Sequence, residues 1–189
     1  VADYKLNGSI TNNGILNVSS GTSEGSNATI ENNGTLIFAC NAAAQYRVEN
    51  NGVLRITYGG NYNFEKISNG ANGKISISGG TFTTKPDNSL LDEWYIAKEQ
   101  GGNYKVDRMD IEDAVKNNAV ATATSSDTVI GKNYCKNITD AIKKAGYNNR
   151  IHLLCDIDNE NVVGTIEGKG KTLFTHDYTF AGSIIMAKN

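Results

Sequence analysis

The chain has 189 residues and a formal net charge of −2 at neutral pH. This length allows one or two domains, and the charge leaves no basic footprint for nucleic acid. No apolar run approaches the roughly 18 residues of a membrane-spanning helix. We therefore expect neither nucleic-acid binding nor membrane insertion. Because the chain begins at Val1 rather than at methionine, we expect a processed fragment of a larger protein.

Small and turn-forming residues dominate the composition, with 20 glycines, a single proline and many asparagines. Glycine and asparagine tolerate the left-handed backbone conformation, so we expect many sharp corners of that kind. Cys40 and Cys155 share strand parity with neighbouring apolar residues and are predicted to be small buried side chains. The role of Cys135 stays open, and three cysteines do not indicate a disulfide framework.

Four segments repeat along the first part of the chain, at 10–18, 30–38, 48–56 and 67–77. The first three share an Asn-Asn-Gly corner, and the fourth has the looser Asn-Gly-Ala-Asn-Gly. The corner glycines Gly14, Gly34, Gly52 and Gly73 are 20, 18 and 21 residues apart. This period is too short for helical hairpin repeats. Each unit instead has two strands that meet at the corner.

Apolar residues alternate with polar ones after each corner, so one face of every strand is predicted to point inward. These inward pairs are Leu16/Val18, Leu36/Phe38, Leu54/Ile56 and Ile75/Ile77. A single unit cannot bury its apolar face alone. We therefore predict stacked, right-handed coils about 4.8 Å apart, in which equivalent strands pair in parallel. An Asn-Gly hairpin at each corner is the alternative, but it does not explain why whole units recur.

Stacking would place the corner asparagines Asn13, Asn33 and Asn51 above one another as an amide ladder. The coils are assigned to residues 1–84. An exposed end of such a stack needs a cover, which we assign to residues 85–107. There, 88–93 can form one helical turn, and 95–98 and 103–106 form a predicted hairpin. Trp94, the only tryptophan, is predicted to be part of an apolar plug rather than a ligand platform.

Residues 108–189 lose the repeat and are predicted to form a small α+β region. A short helix is expected at 110–116 and strands at 119–123 and 127–131. A second helix is capped by Asn137 with Asp140 three residues later and is stopped by Gly146. Further strands are expected at 151–157, 162–166 and 171–175.

Two stretches resemble large surface proteins of gut bacteria that carry pectate-lyase-like β-helix repeats. The first is Gly-Gly-Thr-Phe at 79–82 with the proline, helical turn and hairpin that follow, and the second runs from 119 to Gly-Lys-Thr-Leu at 170–173. The resemblance implies a mainly β, right-handed parallel β-helix solenoid of about four coils, a capping hairpin, and an α+β region like the start of a second β-helix. It also implies an extracellular or cell-surface location. No sortase-type Leu-Pro-x-Thr-Gly signal is present, so the mode of anchoring stays open.

Two groups of residues are candidates for binding. Tyr58 and Tyr62 flank Gly59-Gly60 and could stack on sugar rings beside a flat polar sheet. Four acids stand at positions 1, 3, 5 and 12 of a calcium-type loop, although no flanking helix pair is evident. They are Asp156, Asp158, Glu160 and Glu167. No other cofactor is expected.

The residues with catalytic potential do not form a recognisable constellation. His152 lies on an apolar strand and His176 in a Thr-His-Asp turn, and neither has partners at the spacing of a zinc site or a triad. The outward positions of the coils are read as Asn, Ser, Thr, Ile and Val with a few charges such as Arg55 and Lys74. No stacked acidic pair of the kind glycoside hydrolysis needs is recognised there.

We therefore expect no enzyme, but a non-catalytic extracellular surface module, a stalk or adhesin that touches a host or bacterial glycan or a surface protein. A polysaccharide-active β-helix enzyme, either lyase or hydrolase, is one alternative. A unit that self-assembles through its solenoid ends is another.

Overall fold

The structure is a computed structural model, and it describes residues 8–19, 28–41, 46–124, 133–145, 150–165 and 172–187. The protein is mainly β with parallel sheets, as predicted. It divides into two compact units, Val1–Arg108 and Met109–Asn189. The hairpin assigned to 85–107 therefore belongs to the same unit as the repeat.

Two four-stranded parallel sheets are built from the repeat. The first contains β1 (Ser9–Asn12), β3 (Thr29–Asn32), β5 (Arg47–Asn50) and β8 (Ile67–Asn69), and the second contains β2 (Ile15–Val18), β4 (Thr35–Phe38), β6 (Val53–Ile56) and β9 (Lys74–Ile77). Consecutive strands alternate between the two sheets, so each repeat contributes one strand to each. Ile10 pairs with Ile30, Ile30 with Val48 and Val48 with Ile67. Equivalent residues thus lie beside one another in neighbouring strands.

The apolar side chains of the repeat form one core. Ile30, Leu36, Leu54 and Ile56 are almost completely buried, and Leu16 packs against them from the edge strand β2. Burying a side chain of this kind contributes roughly 1.5–3 kcal/mol. The inward alternation predicted from sequence therefore supplies the main stabilising contacts of this unit.

The corner glycines are required for a different reason from the predicted one. Neither the corner glycines nor the corner asparagines of the first three repeats have positive φ. Instead, a Cβ on Gly34 would lie 2.1 Å from the backbone oxygen of Gly14, and one on Gly52 would lie 2.1 Å from that of Gly34. The corners of successive repeats stack so closely that only a glycine fits.

A third sheet completes this unit. It has the order β11 (Tyr95–Gln100), β12 (Asn103–Arg108), β10 (Thr81–Phe82) and β7 (Asn61–Tyr62). Short 3₁₀ turns lie at Phe64–Lys66 and Asn88–Leu90. β7 and β10 pair in parallel, whereas β12 pairs antiparallel with β10 and β11. Gly101 and Gly102 have φ of 60° and 78°, which matches the two-residue turn that suits a hairpin.

The second unit contains α1 (Ile111–Lys116) and α2 (Ile138–Lys144). Its main sheet has the order β14 (Tyr134–Cys135), β13 (Ala121–Thr124), β15 (Arg150–Leu153) and β17 (Thr172–Phe174), and a parallel pair joins β16 (Ile157–Thr165) to β18 (Phe180–Ala187). The strand expected at 127–131 and the helix stop at Gly146 lie outside the described residues. β16 begins at Ile157, earlier than the strand expected at 162–166.

Helix α2 packs on one face of the main sheet. The Oδ1 of Asn137 accepts a hydrogen bond from the backbone N–H of Asp140 at 2.7 Å, which is the predicted cap. Cys135 is buried in this core, and its Sγ lies 3.3 Å from the Asn133 carbonyl oxygen. Cys155 is only half-buried, so its predicted burial is not reached. All three cysteines are free thiols.

Candidate functional site

Two ladders of asparagine side chains run along the stacked corners. In the buried ladder, the Nδ2 of Asn12 donates to Asn32, that of Asn32 to Asn50, and that of Asn50 to Asn69, each at 2.7 Å. The same nitrogens also donate to the backbone carbonyls of Thr35, Val53 and Lys74. Each buried amide is therefore held by both a side chain and a backbone partner.

The predicted ladder residues form the second, exposed row. The Nδ2 of Asn33 donates to Asn13 at 3.2 Å, and the Nδ2 of Asn51 donates to Asn33 at 3.4 Å. These bonds are longer than those of the buried ladder, and water competes for the same groups. The sequence shows two adjacent asparagines at each of the first three corners, and the predicted ladder used the one next to the glycine instead of the buried one.

An acidic pair lies beside this exposed row. Glu31 and Glu49 are directly paired on neighbouring parallel strands and are both exposed. The Oε2 of Glu31 accepts from Thr11 at 3.2 Å, and its Oε1 accepts from Asn33 at 3.3 Å. The outward positions therefore do carry a stacked acidic pair, which the sequence did not lead us to expect. The repeated glutamate after Ile30 and Val48 was the available signal.

Together these side chains form a surface that we name the polar face. It comprises Thr11, Asn13, Glu31, Asn33, Glu49 and Asn51. Outward residues of successive strands lie about 4.8 Å apart along the stack. Carboxylate oxygens only accept hydrogen bonds, whereas amides both donate and accept. The polar face therefore presents a regular array of hydrogen-bonding groups along the first sheet and the corners that follow its strands.

The tyrosine pair proposed for sugar stacking does not exist as predicted. Tyr62 is 1% exposed, and its hydroxyl donates to the carbonyl oxygens of Tyr58 at 3.1 Å and Cys40 at 3.4 Å. Its ring lies between those of Phe38 and Phe82. Burial, with a smaller electrostatic contribution from Cys40, raises the pKa of Tyr62 above its usual value. Tyr62 is a core residue, because alternation on β7 turns it inward.

Tyr58 keeps its candidate role, since it is 66% exposed. The nearby hairpin carries more polar groups. Lys105 forms an ion pair with Asp107 at 2.7 Å, which raises the pKa of Lys105 through the hydrogen bond and the charge of that carboxylate. Arg108 donates to the hydroxyl of Tyr95 and lies over its ring, 5.0 Å from the centroid.

The structure does not support a calcium-type loop at Asp156. Asp158 and Glu160 lie within the strand β16, whose extended backbone does not curl around an ion as such a loop does. The Oδ1 of Asp156 instead accepts from the backbone N–H of Thr179 at 2.7 Å. Glu167 lies outside the described residues. Among the residues that are described, no group of three or more His, Cys, Asp or Glu side chains could hold a metal ion.

The two histidines, which sequence spacing did not connect, form a hydrogen-bonded pair. The Nδ1 of His152 lies 2.9 Å from the Nε2 of His176. The ring centroids are 5.1 Å apart and the planes are inclined by 16°. The distance between the centroids is close to the sum of the nitrogen–nitrogen distance and the two ring radii. The rings therefore meet edge to edge. One of the two nitrogens carries the proton that they share.

Burial differs sharply between the two rings. His152 is completely buried, and Phe174, its neighbour on β17, stacks on it at 4.8 Å. His176 is exposed and has φ of 52°, which is uncommon for a residue other than glycine. A buried imidazole thus fixes the orientation of an exposed one. The pairing depends on the turn after β17, which sequence reasoning could not place in space.

Comparison with known proteins gives no relative for this arrangement. No family model, no curated protein and no solved structure matches the chain. Within the described ranges, no helix is both long and apolar enough to cross a membrane.

Proposed function

We propose that the first unit is a right-handed parallel β-solenoid that serves as a non-catalytic surface module and contacts glycans through its polar face. The observation that carries this proposal is the in-register polar face itself. Its side chains are coupled across strands by the bonds from Thr11 to Glu31 and from Asn33 to Asn13. A ligand rich in hydroxyl groups needs such fixed donors and acceptors, since flexible groups lose entropy on binding.

Three sets of parallel strands, each built from successive repeats, support the solenoid geometry. The third and fourth repeats each contribute one strand to the first sheet, one to the second and one to the parallel pair of β7 and β10. Register offsets between neighbouring strands equal the length of a repeat. Stacking of this type also gives a rigid rod, which suits a stalk. The resemblance to surface proteins of gut bacteria supports a location outside the cell.

A glycan array and a set of soluble polysaccharides, with and without calcium, provide the first test. The informative variant replaces both acids of the polar face, Glu31→Gln and Glu49→Gln. Its matched control replaces Arg55→Gln and Lys74→Gln, which lie on the outward side of the second sheet. Binding that is lost in the first variant and kept in the control supports the proposal. Equal binding by the two variants would contradict the proposal.

Cleavage of a polysaccharide is the second candidate, because of the paired acids. Side chains on neighbouring strands start about 4.8 Å apart, and retaining glycosidases use two carboxyl groups about 5–5.5 Å apart. Release of reducing ends by the wild-type chain and its loss in the Glu31→Gln variant would replace the non-catalytic proposal. Binding without any product would remove this candidate.

Self-assembly through the solenoid ends has less support at the end formed by the last repeat. There, Ile77 of β9 forms a parallel bridge with Leu91, and β12 pairs with β10. An incoming chain would have to displace these partners to pair with the same edges.

A further inference from the structure

A pocket in the second unit lies beside the histidine pair. It has a volume of about 290 Å³. Its lining residues are Ile111, Leu153, Leu154, His176, Asp177 and Tyr178. Three of these are consecutive in the turn that follows β17 and carry an imidazole, a carboxylate and a phenol. The other three are apolar and come from the start of α1 and the end of β15.

The turn that carries the three polar residues is held at several points. The backbone N–H of Tyr178 donates to the Thr175 carbonyl at 2.9 Å. The N–H of Thr179 donates to Asp156, and the carbonyl of Thr179 accepts from the N–H of Ile157. The bond between the two imidazoles adds a fourth restraint. These bonds fix the backbone of the turn, and the bond between the imidazoles also orients the side chain of His176.

The positive φ of His176 is a second sign that its side chain is held in one geometry. A non-glycine residue held in the left-handed region costs free energy, and such residues cluster where a side chain must be presented in one geometry. Here the cost is offset by the bond to His152, which is completely buried and stacked on Phe174. The exposed edge of His176 is thereby fixed at the pocket.

The chemistry of the lining fits a single sugar ring. A pyranose has an apolar face of C–H groups and a rim of hydroxyls. Tyr178 is 41% exposed, and an aromatic ring with the apolar side chains of Ile111 and Leu154 can contact the C–H face. The carboxylate of Asp177 can accept from two neighbouring hydroxyls, and the imidazole of His176 can donate or accept. The volume is just below the range of pockets for drug-sized ligands, as a single ring requires.

Other ligand classes fit less well. A bare metal ion would need at least three ligating side chains. No such group occurs among the described residues. A small cation could bind the carboxylate of Asp177. It would leave the apolar lining of Ile111, Leu153 and Leu154 without a function. We propose that this pocket binds one pyranose ring of a glycan, which rests on the proposed glycan-contacting function and gives it a second site.

The test uses the full chain and five free monosaccharides: D-glucose, D-galactose, D-mannose, L-fucose and N-acetyl-D-glucosamine. Saturation-transfer NMR identifies a bound sugar, and a titration followed by the imidazole signals gives its dissociation constant. The variants are Asp177→Asn, Tyr178→Ala and His176→Gly, since glycine keeps the positive φ accessible. The matched controls are Asp158→Asn, an exposed carboxylate of the same unit, and Ile15→Ala, an exposed apolar side chain of the first unit.

We expect saturable binding of at least one sugar, a loss of affinity of tenfold or more in Asp177→Asn and Tyr178→Ala, and a smaller loss in His176→Gly. Both controls should bind as the wild type does. Unchanged circular dichroism shows that each variant is folded. No saturable response to any of the five sugars would overturn the proposal, as would wild-type affinity in the two main variants. A saturable response of the imidazole signals to Zn²⁺ alone would also overturn it.

The variant with Glu31→Gln and Glu49→Gln separates this proposal from the first one. It should still bind the monosaccharide, because its changes lie outside the pocket. If the pocket binds no sugar while the polar face still binds polymers, only the inference on the pocket fails.

Discussion

The two units bury polar side chains in different ways. In the first unit, Asn32 and Asn50 are buried in a ladder that repeats the same bonds from one strand to the next. In the second unit, Thr122 and His152 are buried side by side on paired strands, and each environment occurs once. A repeated ladder fixes the register of every strand at once, because a shift would leave all its amides without partners. A single buried group fixes only its own neighbourhood.

The corner glycines of the first unit give the largest expected change in stability. Gly34→Ala would place a methyl group against the backbone oxygen of Gly14, which cannot move away as a side chain could. We expect a loss of about 3 kcal/mol or more in the free energy of unfolding. Gly14→Ala is the matched control, because nothing lies within 4 Å of its added Cβ. Urea unfolding of the two variants provides the measurement. Equal stabilities would contradict the close approach of the corners.

The buried ladder should matter more than the exposed one. Asn32→Ala removes the partner of Asn12 and Asn50 and leaves buried groups unsatisfied, which we expect to cost about 2–3 kcal/mol. Asn33→Ala removes only exposed bonds and should cost under about 0.5 kcal/mol. Trp94 fluorescence during urea unfolding follows the first unit, since it is the only tryptophan. A loss in Asn33→Ala as large as that in Asn32→Ala would mean that the ladders contribute equally.

The hydroxyl of Tyr62 is the next test of buried polar groups in the first unit. Tyr62→Phe removes two hydrogen bonds, and we expect a loss of about 1 kcal/mol at neutral pH. The exposed Tyr58→Phe should change nothing. Urea unfolding at pH 7 compares the two, and equal losses would argue against the buried position of Tyr62.

The same residue predicts a dependence on pH. Burial, and to a smaller extent Cys40, raises the pKa of Tyr62 above the ordinary 10.0, and burial likewise raises that of Tyr46. Below pH 10 both folded and unfolded chains keep the proton, so the stability is unaffected. Above pH 10 the unfolded chain ionises first, and the free energy of unfolding falls by up to about 1.4 kcal/mol per pH unit for Tyr62, with a contribution of the same sign from Tyr46. The fall should be shallower in Tyr62→Phe. Identical slopes in the two proteins would contradict this origin.

The last test of stability concerns the helix cap of the second unit. Asn137→Ala removes the cap of α2 and should cost about 1 kcal/mol. Lys143→Ala on the same helix is the control and should be nearly neutral. Far-ultraviolet circular dichroism during unfolding measures both variants. If Asn137→Ala had no effect, the cap would not contribute to the stability of this unit.

Much of the first unit could be predicted because its information is local and repeated. The alternation of Leu54 and Ile56 sets the inward face, and the recurrence of the corner implies parallel pairing. The reason for Gly34 could not be read from the sequence, since it depends on a contact with the preceding repeat. Tyr62 was placed outside because its strand has only two residues, too few for alternation to show its direction.

The candidate sites were harder to predict. Glu31 and Glu49 were visible in the repeat, and their pairing follows from the same register that was predicted for the core. His152 and His176 are 24 residues apart. Their contact depends on a turn that no periodic pattern in the sequence predicts. Asp156 carried an acidic pattern typical of a loop, but the backbone from Ile157 onward forms a strand instead.

The buried ladder has a direction, because every amide donates toward the following repeat. At its last rung the Nδ2 of Asn69 donates to the backbone carbonyl of Gly73 within the same repeat, which closes the series. Two-residue corners are constant in the first three repeats, whereas the difference between offsets of 20 and 18 residues falls in the segments after β2 and β4. Duplication or deletion of a whole repeat would therefore preserve each rung, whereas insertion of one residue inside a strand would reverse its inner and outer faces. The number of strands in the two parallel sheets is thus free to change in whole repeats, over evolution or by engineering.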